Sequence, residues 1–118
     1  MSLIQTFNKN IINFMKDLSN IVDNKEISNI FIDNIKNIQS VIYFNKYIFI
    51  NKFYIDLYKY KNDIINENEL VIEYLDKINF FDSVKLVIIW NRMNITNKQI
   101  CWKYLKTFIL LTEKIKNI

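Results

Sequence analysis

Val41-Ile42-Tyr43-Phe44-Asn45-Lys46-Tyr47-Ile48-Phe49-Ile50 is the stretch on which the fold class turns. Its β-branched and aromatic residues, set on both sides of Asn45-Lys46, read as the two strands of a hairpin, because such side chains suit a pleated surface. Asn-Lys is a poorer two-residue turn than Asn-Gly. The same ten residues read equally as the end of one helix, a turn and the start of the next. The flanking sequence favours that second reading. Residues 28–44 carry Phe31, Ile35, Ile38 and Ile42 on one helical face, and residues 46–65 carry Phe49, Phe53, Leu57, Tyr60 and Ile64 on another.

Moving outward, the strongest helical signal is at the start. Leu3, Ile4, Phe7, Ile11, Phe14, Met15, Leu18, Ile21 and Val22 recur at three-and-four spacing, which makes one apolar stripe. Ser2 and Gln5 have capping-box spacing before it, and Asp23-Asn24 closes it. Beyond the central stretch, residues 67–78 predict a fourth helix with Glu67 and Glu69 near its positive end. A short fifth helix is expected from Asp82 or Ser83 to about Asn91. A last one is expected from Thr96, with Gln99 completing a second capping box, through Cys101, Tyr104, Phe108, Leu111 and Ile115. There is no repeat and no linker. The chain therefore predicts an all-α fold, a single-domain bundle of five or six helices over residues 1–118, with Phe7, Phe14, Leu18, Phe53, Leu57, Phe108 and Leu111 buried.

Composition sets further bounds. The 118 residues are 51% apolar and 24% charged, as in ordinary globular chains. Gly, Pro, His and Ala are absent, while 24 Ile, 18 Asn and 15 Lys reflect AT-rich codons. Without Gly, positive-φ turns fall to Asn, the next most tolerant residue. One cysteine, Cys101, permits no internal disulfide, so the chain reads as suited to a reducing, intracellular compartment. The longest apolar run, Leu86–Trp90, is far short of the roughly 18 residues a membrane span needs. Met1-Ser2-Leu3-Ile4-Gln5 has no basic region of a secretory leader.

Catalysis is hard to assemble from this inventory. No His is present to act as general base, and no Gly to form a phosphate-cradling loop. Cys101 lies on the apolar stripe of the last helix and reads as a small buried hydrophobe. Glu69, Glu73 and Asp76, at four-and-three spacing, place three carboxylates on one helix face, a pattern open to a hard cation. A solvated acidic face explains the same pattern and is the preferred reading, since no inward-facing ligands from other helices are visible. The reading is that the chain has no catalytic, cofactor or metal site, binds no small molecule and is not an enzyme.

Charge is polarised along the chain. Asp63 to Asp82 holds six acids against Lys77, and Ser83 to Ile118 holds seven bases against Glu113, although the whole chain is only +4. Faces of opposite sign suit docking, with another protein or with a second copy. Trp90, Arg92, Trp102, Lys103, Tyr104 and Lys106 are the candidate partner-binding residues, because aromatics and Arg dominate interface energetics. Both indoles also read as core. The alternative is nucleic-acid binding by the basic C-terminal third, where Lys103 and Lys106 adjoin Trp102 and Tyr104. The function expected is a non-enzymatic protein-interaction module.

The stretch from Ile88-Ile89-Trp90-Asn91-Arg92 through Ile100-Cys101-Trp102-Lys103-Tyr104-Leu105-Lys106 resembles a family of small helical proteins of nucleocytoplasmic large DNA viruses. There an apolar-Trp segment precedes a Ser/Thr-Lys linker and Ile-Trp-Lys-Tyr-Leu, with Cys101 here as one added position. Lys52-Phe53-Tyr54-Ile55-Asp56-Leu57-Tyr58 and Phe14-Met15-Lys16-Asp17-Leu18 are similar to two further blocks. The family's Leu-Pro-Gly turn is Leu75-Asp76-Lys77 here. The resemblance implies a viral source and a place in the host cytoplasm or virion, but no mechanism.

Overall fold

A computed structural model describes residues 1–76 and 86–118. Among them the chain is all-α. It forms α1 (Leu3–Ile21), α2 (Lys25–Phe44), α3 (Ile48–Asp56), a 3₁₀ turn (Tyr58–Tyr60), α4 (Lys61–Ile65), α5 (Val71–Leu75), α6 (Leu86–Arg92) and α7 (Ile95–Lys116). That is seven α-helices, one more than the upper expectation. The extra one arises because residues 46–65 do not form a single helix. α3 stops at Asp56, and the 3₁₀ turn redirects the chain so that α3 and α4 both pack on α7.

Local chemistry explains most boundaries. The Ser2–Gln5 capping box is present: Gln5 N donates to Ser2 Oγ at 3.2 Å and Ser2 N to Gln5 Oε1 at 2.9 Å. Asn24 caps α2 by accepting from Ile27 N at 3.1 Å, so it starts the second helix as much as it follows the first. The hairpin alternative at residues 41–50 is replaced by a helix–turn–helix. Asn45 Oδ1 accepts from Tyr47 N at 3.0 Å, an Asx turn that needs no Gly. The capping box expected at Thr96 and Gln99 does not form. Asn94 is the cap, accepting from Asn97 N at 2.8 Å, which leaves Thr96 inside the helix and Gln99 free to donate to Glu67. α6 is capped from a distance, since Leu86 N and Val87 N both donate to the Asp76 carboxylate. The expected start of α6 near Asp82 or Ser83, Lys77, Lys85 and the end of the fourth segment lie outside the described residues.

α1 is the central element, antiparallel to both α2 and α7 and packed between them. At one end Ser28 Oγ donates to Ser19 O at 2.9 Å; at the other Asn8 Nδ2 donates to Lys46 O at 2.9 Å. Phe7, Phe53 and Phe108 bring α1, α3 and α7 together with ring centroids 5.3–5.8 Å apart. All seven residues expected in the core are buried. Each fully buried Phe or Leu contributes roughly 1.5–3 kcal/mol, so this one cluster is what holds the helices.

Among the described residues two adopt positive φ: Asn117 (60°), as the absence of Gly predicts, and Glu67 (55°). Glu67 is a strained position for a residue with a Cβ, of order 1 kcal/mol. Its side chain is held on α7 by Lys106 and Gln99.

Candidate functional site

The six residues singled out on sequence do not form one constellation. Trp90 and Trp102 are 2% and 3% exposed and meet edge to face at 5.2 Å, joining α6 to α7. This corrects their reading as anchors: both indoles are core, and neither presents a face to a partner. Lys106 is occupied, with Nζ 2.6 Å from Glu67 Oε2. Tyr104 is half-buried, stacked on Phe14 at 4.9 Å, and its hydroxyl donates to the Asp17 carboxylate. Burial, then Asp17, pushes the phenol well above its ordinary pKa, so it stays a donor. Arg92 and Lys103 are exposed and enter no ion pair with a described residue.

Two ion pairs meet part of the polarity of the sequence within the molecule. Residues 66–76 lie beside α7, where Glu67 takes Lys106 and Gln99, and Glu69 takes Lys98 at 3.3 Å. Lys106 and Gln99 hold the Glu67 carboxyl below its ordinary range. Lys61 and Tyr58 do the same to Glu113, with Lys61 Nζ 2.7 Å away. Glu69, Glu73 and Asp76 do not share a helix face as the spacing suggested. Helix α5 starts only at Val71, Glu69 faces Lys98 and Asp76 caps α6. Among the described residues no cluster of three His, Cys, Asp or Glu is placed to hold a metal. Cys101 is buried beside Met93, 3.8 Å between sulfurs, and desolvation pushes its thiol up to about 12.

Two features of the surface stand out among the described residues, a seam and a corner. Two hollows border the antiparallel pair α1 and α7. One, of about 370 Å³, is lined by Asn10, Asp17, Ile100, Lys103, Tyr104 and Thr107. The next, of about 440 Å³, lies where the α1–α2 turn meets the α6–α7 turn. Ile21, Val22, Ile27, Ile89 and Met93 line it alongside Asp23, Asn24, Asn94, Asn97 and Arg92. Three of the six sequence candidates thus line these hollows, Lys103 and Tyr104 the smaller and Arg92 the larger. Asn24, Asn94 and Asn97 were not foreseen, because only tertiary packing brings two turns some seventy residues apart together.

The corner is the end of α2 and the outer face of α3, where Tyr43 and Phe44 are each 87% exposed. A signal for it existed. Both residues lie off the Phe31-Ile35-Ile38-Ile42 stripe, and residues 34–55 contain no acid.

No protein-family model, no curated protein and no solved structure matches the chain, so its function is argued from these two surfaces.

Proposed function

We propose that this chain is a non-enzymatic interaction module that holds a segment of a partner protein along the α1–α7 seam. The observation that carries this reading is the pair of hollows bordering α1 and α7, where Lys103 and Arg92 are in no ion pair with any described residue and Ile89, Met93 and Ile100 are among the lining side chains. Such a groove suits a partner helix or extended segment that sets apolar side chains at Ile100, Met93 and Ile89 and acids at the two cations. The absence of His and Gly and the protonated, buried Cys101 support a role without chemistry of its own. AT-rich codon usage and the resemblance of residues 88–106 support a source in a large DNA virus, with action in the host cytoplasm or virion.

Affinity purification with nuclease treatment tests the proposal. A partner retained by the unaltered chain should be lost by Arg92→Glu with Lys103→Glu at an unchanged melting temperature, since both side chains are exposed. Retention that disappears with nuclease supports the alternative, nucleic-acid binding by the C-terminal third. That reading also requires a steep fall of affinity with salt, near −0.9 in log–log slope per phosphate contact on duplex DNA. The commitment of Lys98 and Lys106 to Glu69 and Glu67 weighs against it.

A further inference from the structure

The α2–α3 corner lies at the far end of α2 from the Arg92 hollow, about 30 Å along a 20-residue helix. It is exposed apolar surface on a helix that already has a buried face. Phe49, Ile50 and Phe53 of α3 are buried, yet Ile48, Tyr54 and Ile55 (70% exposed) point to solvent. A helix apolar on both faces belongs in apolar surroundings on both sides. Across the turn, Tyr47, Phe44 and Tyr43 are exposed as well.

Charge identifies what covers it. From Asn34 to Ile55 there are Lys36, Lys46 and Lys52 and no acid. α1 is joined here through Asn8 and brings Lys9 and Lys16, with no acid before Asp17. Lys116 of α7 lies 5.3 Å over the Tyr54 ring, and Lys46 lies 5.2 Å over Tyr47. The bordering acids are Asp56, which is half-buried, and Glu113, which is taken by Lys61 and Tyr58. The occupant is therefore anionic, which disfavours a second copy presenting the same basic end.

Shape narrows the choice further. Side chains that are 87% exposed have no walls around them, so there is no groove here for a peptide helix. Base stacking needs free ring faces. Tyr47 and Tyr54 have ammonium groups over one face, Tyr54 also stacks on Tyr58 at 5.5 Å, and Tyr43 and Phe44 meet edge to face at 84°, so the strip offers no parallel platform for successive bases. A projecting strip of aromatic and aliphatic side chains with lysines at its margin fits a flat anionic surface with an apolar interior. Rings and Ile enter at headgroup depth while lysine stems lie along the strip and their ammonium groups meet phosphate.

We infer that the α2–α3 corner docks the protein on anionic lipid bilayers, entered by Tyr43, Phe44, Ile48 and Ile55 and flanked by Lys46 and Lys52. Among the described residues no helix is long and apolar enough to cross a membrane, so contact is with one leaflet. The site is separate from the seam, and either stands if the other fails.

The test is flotation of the full chain with vesicles of phosphatidylcholine alone and with vesicles of equal parts phosphatidylcholine and phosphatidylserine. Binding is expected to the second only, weakening as salt rises. Tyr43→Ala with Phe44→Ala should abolish flotation, and Lys46→Glu with Lys52→Glu should weaken it by at least about fivefold per lysine, both with unchanged far-UV circular dichroism. Arg92→Glu with Lys103→Glu should float as the unaltered chain does. No flotation with phosphatidylserine, or flotation indifferent to both corner variants, overturns the proposal. So does a corner that instead binds single-stranded oligonucleotide or mediates dimerisation, with vesicle binding absent.

Discussion

Trp90 and Trp102 meet edge to face at 5.2 Å, and Tyr43 and Phe44 meet edge to face at 5.8 Å. The first pair is sealed in the core and the second stands in solvent. Residue type does not separate them, since Trp is the commoner interface anchor. What separates them is the architecture around each pair. The two indoles come from different helices, α6 and α7, and each helix supplies a wall for the other's ring. Tyr43 and Phe44 are consecutive residues of one helix end, beyond the stripe by which α2 packs, and among the described residues no element covers them. Exposure in this molecule is decided by whether a second helix lies opposite, and that distinguishes an aromatic pair that builds the fold from one available for contact.

The largest expected effect tests the buried member of that contrast. Trp102→Ala should cost about 3–5 kcal/mol, a fall in melting temperature of more than about 10 °C for a domain of this size. An unchanged melting temperature with loss of a partner would reinstate the indole as an anchor and remove the contrast. A smaller effect is expected at the junction that holds the corner in place. Asn8→Ala removes the bond to Lys46 O and should cost about 1 kcal/mol, read as a shift in the urea midpoint, with faster hydrogen exchange at residues 45–48.

Acid should loosen the contacts made by Glu67 and Glu113 more gradually. Glu67 and Glu113 have folded pKa values below their unfolded ones, so their contribution is present above the ordinary carboxylate range and is lost as pH falls through the folded values. Glu67→Gln should flatten the low-pH side of a melting-temperature profile; a profile unaltered by the substitution would mean that the Lys106 pair adds nothing. The smallest change belongs to the exposed pair: Phe44→Ala should leave stability within about 0.5 kcal/mol by denaturant titration. A larger loss would show Phe44 to be packed and would bring the two pairs together.

How much of this was legible in the sequence depends on the range of the interaction. The stripe of α1, the Ser2–Gln5 box and the seven core residues were readable because helical periodicity and capping act over three or four residues. The break after Asp56 was not, because the Phe53-Leu57-Tyr60-Ile64 face stays in phase through it, and only packing on α7 shows the redirection. Asn94 was missed as a cap because Thr96-Gln99 has the commoner spacing two residues later. The opposed charges of the C-terminal half suggested an external partner, but Glu67–Lys106 and Glu69–Lys98 pair residues 39 and 29 positions apart inside the fold. The seam needed the antiparallel α1–α7 contact, which no local pattern encodes. The corner was legible from off-stripe aromatics in an acid-free run, but as a departure from a pattern rather than a match to one.

The burial of Cys101 gives the molecule a clock of its own. Thiol reagents attack the thiolate, and a group held near a pKa of about 12 in the core offers neither charge nor access while α7 is docked. Alkylation must then wait for α7 to separate from α1 and α6. When reclosing is faster than modification, the labelling rate equals the opening equilibrium constant multiplied by the rate for an unprotected thiol. The chain has no second cysteine to blur the signal, so its rate of modification at neutral pH reports how often the core comes apart.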